Sequence, residues 1–243
     1  MIINSLNTAW WIMFAVQIAI IIFNTLLGKG KDEAYRKKIM TGLYIFLIVF
    51  YILCKSYLIW GSKTYETSLW NELPLALCQV ASFLVLPGIL KKNNTILCFC
   101  FFIGSICSLM AILMPVEGFY NIPLLSFESI GFYGFHGLVF IQAICLVTLG
   151  FYKPKVKDVP KAMLLLAVIA LIVHFINMWL RATVLPDSNY FFTYSPENNP
   201  ALGLCYKFIP VSYVYLLPLL VPLGLVLSLI AFIFQKLDKK SRK

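Results

Sequence analysis

Residues 95–115 read TILCFCFFIGSICSLMAILMP, with no Asp, Glu, Lys, Arg or His. A helix rises about 1.5 Å per residue, so about 20 apolar residues cross the roughly 30 Å hydrocarbon layer of a bilayer. Backbone polar groups surrounded by lipid must be satisfied internally, which leaves helices or closed barrels. The run lacks the in–out alternation of a barrel strand, so it reads as a spanning helix. Six further stretches read the same way: 8–27, 39–60, 74–90, 130–151, 162–185 and 211–235. The chain is therefore expected to be an all-α polytopic membrane protein, one domain of seven transmembrane helices over residues 1–243.

Composition agrees. Of 243 residues, 61% are hydrophobic and 12% charged, with a mean hydropathy of +0.87. A soluble domain carries about 25% charged residues; this balance excludes disorder, coiled coil and a soluble globule. The net charge of +10 would suggest nucleic acid on a soluble protein, but too little polar surface exists to support that partner here.

The cations sort by segment. Five lie in 28–38 (Lys29, Lys31, Arg36, Lys37 and Lys38), two at Lys91 and Lys92, four in 152–161, and five in the tail from Lys236 to Lys243. These sixteen of 20 fall on one face of a seven-span arrangement, while the opposite loops carry only Lys63 and Lys207. The positive-inside rule then puts the N-terminus outside and the C-terminus in the cytoplasm. The basic segments serve as topology determinants and contacts for anionic lipid headgroups. Met1–Thr8 has no basic residue, so no signal-peptide n-region is expected. A multi-pass protein of a bacterial plasma membrane fits this undecorated architecture.

Six of seven cysteines fall inside the expected spans and only Cys205 in an outer loop, a distribution unlike a disulfide framework or zinc site. No metal, phosphate-loop or Ser–His–Asp arrangement emerges, and no cofactor is expected. Most of the thiols read as small packing groups.

Ionisable side chains within spans cost about 2.5–3.5 kcal/mol at a helix centre and mark function by default. Here they are Lys55, His136, His174 and Arg181, with Gln79, Gln142 and Asn177 as uncharged companions. Counted from the outer helix ends, Cys78 and Arg181 lie about 6 Å deep, Lys55 about 7 Å, His136 about 9 Å and Asn177 about 12 Å, with His174 near the midplane. The inner halves of the same spans are almost wholly apolar. His174, Asn177 and Arg181 share one helical face. Lys55 and Arg181 also read as snorkelling cations, and His174 as a core histidine bonding a carbonyl. His136 sits in Gly134-Phe135-His136-Gly137, where small neighbours allow close approach of backbone or ligand. Cys78 follows Leu73-Pro74-Leu75-Ala76-Leu77; with Pro74 in the first turn, the thiol sits one turn into a helix N-terminus, which favours its thiolate. A neutral histidine at similar depth would complete a Cys–His nucleophile pair.

At these residues the chain resembles the YwaF-like, transmembrane-protein-164 family of integral membrane proteins over about residues 40–235. The shared features are Leu73-Pro74-Leu75 through Cys78, Pro115, Phe135-His136-Gly137, Asn177, Asn189-Tyr190, Pro196, Pro210 and Tyr213–Tyr215. Ala76 departs from the pattern, standing where a polar residue, often histidine, is expected. The resemblance implies seven helices and, by similarity to the vertebrate member, acyl transfer between phospholipids through a cysteine. It implies Cys78 as nucleophile, His136 as base and acid, and Asn177 with Asn189-Tyr190 shaping the pocket or polarising the acyl carbonyl. On this reading a membrane phospholipid or lysophospholipid is the partner. Lys55 or Arg181 would hold its phosphate, and Gln79 and His174 would line the site. The alternatives are a lipid or small-molecule transporter or binding protein without covalent chemistry, bending at Pro218 and Pro222, and a purely structural role.

Overall fold

The computed structural model describes residues 1–62, 67–115, 119–197 and 199–241, with side chains as far as Leu237. Lys63, Arg242 and Lys243 lie outside the described residues, as do the side chains of Lys239 and Lys240. The helices are α1 (Thr8–Gly28), α2 (Glu33–Trp60), α3 (Leu77–Leu90), α4 (Asn94–Leu113), α5 (Phe127–Thr148), α6 (Val159–Thr183), α7 (Pro200–Phe208) and α8 (Leu220–Ser241). Two short strands, β1 (Ile2–Ile3) and β2 (Ile122–Pro123), pair antiparallel.

Helix starts follow local chemistry. Asn7, Asp32, Asn93, Ser126 and Asn199 each accept a hydrogen bond from a first-turn amide of the helix they precede, satisfying donors the helix itself cannot. Capping by Asp32 lets α2 begin six residues before the expected span, carrying Arg36, Lys37 and Lys38 on a polar first turn and a half. Residues 211–235 are not one α-helix: Val214–Leu219 is a 3₁₀ turn containing Pro218, whose missing N–H and ring clash exclude an uninterrupted α-ladder.

Among the described residues, six helical segments are long and apolar enough to cross a membrane: α1, α2, α4, α5, Val156–Thr183 and Val214–Leu237. The protein is an all-α, multi-pass membrane protein. The expected span 74–90 differs: α3 has 14 residues, about 21 Å of helix. It begins at Leu77 with Ala76 as N-cap, so Pro74 precedes the helix rather than opening it. The Gln79 side chain secures this later start by accepting a hydrogen bond from the Ala76 amide at 2.9 Å.

The core forms where α4 packs against α3, α5 and α6. Gly104 permits close approach: a Cβ there would lie 3.4 Å from that of Ala143 and 3.7 Å from that of Ala81. Small residues of this kind drive helix packing in lipid, where burial supplies little force. The outer faces are apolar, with Phe23, Phe46, Leu53, Leu164, Phe175 and Leu225 all exposed. The basic segments gather at one end. Arg36 donates to the Leu149 carbonyl at 2.7 Å, Lys92 pairs with Glu33 at 2.9 Å, and Phe101 meets both Tyr152 and Phe234.

Candidate active site

At the opposite end lies the first turn of α3, where Cys78 and Gln79 are both buried. Cys78 is the second residue of α3, and its Sγ lies 3.5 Å from Nε2 of His136. His136 is the tenth residue of α5, about 14 Å along the axis from the helix start. This is deeper than expected, because α5 begins three residues earlier than the expected span.

The second imidazole nitrogen defines the chemistry of the first. Nδ1 of His136 lies 2.7 Å from the Phe132 carbonyl oxygen. A carbonyl only accepts, so Nδ1 carries the proton and Nε2 presents a lone pair to the thiol. The amides of Leu77, Cys78 and Gln79 belong to the first turn of α3, whose N–H groups have no intrahelical acceptor. They supply donors and positive dipole density beside the sulfur.

These groups line a cavity of about 210 Å³ together with Lys55, Gln79, Glu72, Tyr51, Cys54 and Phe135. Gly131 lets α2 approach its wall, since a Cβ there would meet the Cys54 Cβ at 3.4 Å. The Lys55 ammonium pairs with the Glu72 carboxylate, which also accepts from the Thr67 hydroxyl at 2.9 Å. The ammonium stands 5.8 Å from the Tyr51 ring centre, and Tyr51 donates to the Glu72 carbonyl at 3.2 Å. Glu72 is the residue sequence reasoning missed. A lysine within a span demands a counter-ion, and Glu72, two residues before Pro74, is the nearest acid in sequence ahead of the thiol.

A family model, the TMEM164 family, matches residues 5–234. The chain belongs to the TMEM164 family. No curated protein and no solved structure matches it.

The other polar residues singled out in this TMEM164-family chain form a second group that organises a loop. Asn177, fully buried, uses its whole amide: Nδ2 donates to the Tyr190 carbonyl and the Thr193 hydroxyl, each at 2.8 Å. Its Oδ1 accepts from the Ser188 hydroxyl at 2.8 Å and the Tyr190 amide at 3.0 Å. That leaves it no donor for an acyl carbonyl. Asn189 donates to Ser195 and Glu197 and accepts from the Tyr194 amide. Arg181 donates to the Ser188 carbonyl at 3.1 Å and stacks 3.9 Å over the Tyr194 ring. His174 stacks on Tyr213 at 5.8 Å. None of these four lines the Cys78 cavity. Tyr190 connects the two groups, because its hydroxyl donates to the Trp70 carbonyl at 2.6 Å and accepts from the Leu73 amide at 3.2 Å. Burial pushes its phenol up to about 12. The loop thus holds the segment that delivers Cys78.

Proposed function

We propose that this protein is a membrane acyltransferase that carries an acyl group on Cys78 between phospholipids. The observation that carries the reading is the 3.5 Å approach of Sγ to Nε2 of His136, with Nδ1 engaged by a backbone carbonyl, inside a cavity of a multi-pass membrane protein. His136 takes the thiol proton at Nε2 as Sγ attacks the ester carbonyl. The first-turn amides of α3 stabilise the developing oxyanion. The ester C–O bond breaks, and the lysolipid leaves with the proton returned by His136. An acceptor hydroxyl then gives its proton to Nε2, and its oxygen attacks the thioester. Sγ departs and recovers its proton. No oxidant, metal or cofactor enters the balance.

Lys55 and Glu72, both at the cavity, would meet the phosphate and any cationic group of the headgroup. The basic end is read as cytoplasmic by the positive-inside rule. With α3 as a short seventh crossing, the N-terminus and the Cys78 cavity then belong to the outer half of a plasma membrane, bacterial on our reading, and the basic loops meet anionic lipid. The test is acyl exchange between phosphatidylcholine and a lysophospholipid in vesicles holding the full chain. Exchange is expected to vanish in Cys78→Ala and to fall in His136→Ala; unchanged exchange in Cys78→Ala defeats the covalent mechanism.

A further inference from the structure

We propose that a second cavity, on the other side of the α3 N-terminus, is the chamber that receives the hydrocarbon chain of the acyl donor. This proposal rests on the acyl-transfer reading and specifies where its substrate lies.

The cavity measures about 490 Å³ and is walled by α3, α4, α6 and the turn entering α8. That volume is within the roughly 300–1,000 Å³ of small-ligand sites. Its sides are aliphatic, with Leu77, Met110, Leu166, Leu216 and Leu223 among them, which suits a chain without hydrogen-bonding groups. Ala76 lines both this cavity and the one holding Cys78. Cys107 lines the chamber and also packs against the cluster containing Cys78. Two small side chains, Ala76 and Cys107, thus border both the surroundings of the sulfur and the chamber. An ester at Sγ can place its headgroup side toward Lys55 and its acyl tail past Ala76.

The far wall is built with unusual backbone. Phe191, Phe192 and Tyr213 all line the chamber at positive φ, 60°, 56° and 64°, a region that disfavours bulky side chains. Such conformations cost about 1–3 kcal/mol each and persist where the surroundings fix them, often at ligand clamps. Here the fixing bonds are Tyr213 N–H to the Thr193 carbonyl at 2.6 Å, the Tyr213 hydroxyl to the Ala167 carbonyl at 3.0 Å, and the Tyr215 hydroxyl to the Phe192 carbonyl. The Asn177 network therefore holds a chamber wall as well as the segment leading to Cys78. The crevice between α1, α2 and α5, lined by Phe46 and Ile130, is also apolar but shares no lining residue with the Cys78 cavity.

The test uses the full chain in phosphatidylcholine vesicles containing a phosphatidylcholine with a diazirine at the end of one acyl chain. Irradiation and peptide mapping are expected to find adducts on the segments of Met110 and Leu223. Ala170→Phe, which fills the chamber from α6, is expected to cut those adducts and the Cys78 thioester formed from an oleoyl donor about tenfold. The thioester from a hexanoyl donor is expected to persist. Leu216→Ala, which widens the chamber, should raise the oleoyl-to-hexanoyl ratio, so the proposal stays testable should Ala170→Phe fail to fold. Adducts confined to Phe46 and Ile130, or an unchanged ratio in folded Ala170→Phe, overturn the chamber while leaving acyl transfer intact. Absence of any Cys78 thioester in the wild type, from either donor, defeats the acyl-transfer reading instead.

Discussion

Asn177→Leu separates scaffold from chemistry, since the residue touches neither Cys78 nor its cavity. The substitution keeps the branched four-atom shape of the side chain and removes four hydrogen bonds, two to Tyr190 and one each to Ser188 and Thr193. Hydrogen bonds in a membrane protein average about 0.6 kcal/mol by double-mutant cycles, and a typical intramolecular one contributes about 1 kcal/mol. Four of them amount to about 2–4 kcal/mol. For a chain of this size about 3 °C accompanies each kcal/mol, so the midpoint of thermal unfolding should fall by about 6–12 °C. Intrinsic fluorescence of the detergent-solubilised protein measures that shift. The functional consequence is indirect. Once the loop relaxes, the Tyr190 hydroxyl no longer steadies Trp70 and Leu73, and acyl transfer at Cys78 should fall although the cysteine remains. A midpoint within 1–2 °C of wild type, or unchanged transfer despite a large shift, would refute the coupling we derive (about 3 °C being the effect of a single kcal/mol).

Other expectations concern separate parts of the fold. Removing His136 as proton acceptor by His136→Ala should lower the single-turnover rate of Cys78 acylation by about 10²–10⁴-fold, while diazirine-lipid crosslinking stays near wild type. Glu72→Gln should destabilise the protein by about 3–5 kcal/mol, because Lys55 loses its partner; Lys55→Met added to it should recover much of that loss in a thermal double-mutant cycle. In Gly88→Ala the new Cβ would lie 2.9 Å from Ile96 and 3.0 Å from Leu97, costing about 1–3 kcal/mol of stability by the same unfolding assay. Partial burial pushes the half-buried Tyr190 phenol up to about 12, above the ordinary value of about 10. A raised value means the stabilisation is complete below pH about 10 and is lost as pH rises toward 12. Tyr190→Phe should flatten the alkaline slope of stability across that window, and a tyrosinate absorbance difference between the two proteins should place the ionisation there.

The spanning helices were legible because hydropathy over about 20 residues acts regardless of tertiary context, as residues 94–113 illustrate. Cys78 and His136 were legible for the opposite reason, as polar exceptions in apolar spans, although the earlier start of α5 puts His136 deeper than the sequence count. The start of α3 was harder to place. Pro74 is a sound signal for a first helical position, but the Gln79 side chain bonds the Ala76 amide and sets the start three residues later. Pairing of Lys55 with Glu72 was hidden by a separation of 17 residues across an irregular segment. Depth alone also grouped Asn177 and Arg181 with the thiol. Buried polarity within a membrane marks loop clamps as well as reaction sites, and only side-chain directions distinguish the two. The short α7 escaped the reading because its signals, Asn199 as cap and Pro200 at the first position, are too local to outweigh the loop composition around them.

The central claim is that Cys78 carries the acyl group. Rapidly quenched full-length protein in phosphatidylcholine vesicles should yield a Cys78 peptide heavier by one acyl chain. That adduct should be released by hydroxylamine and discharged by added lysophospholipid. Acyl exchange that proceeds while this peptide stays unmodified at every time point would contradict the account.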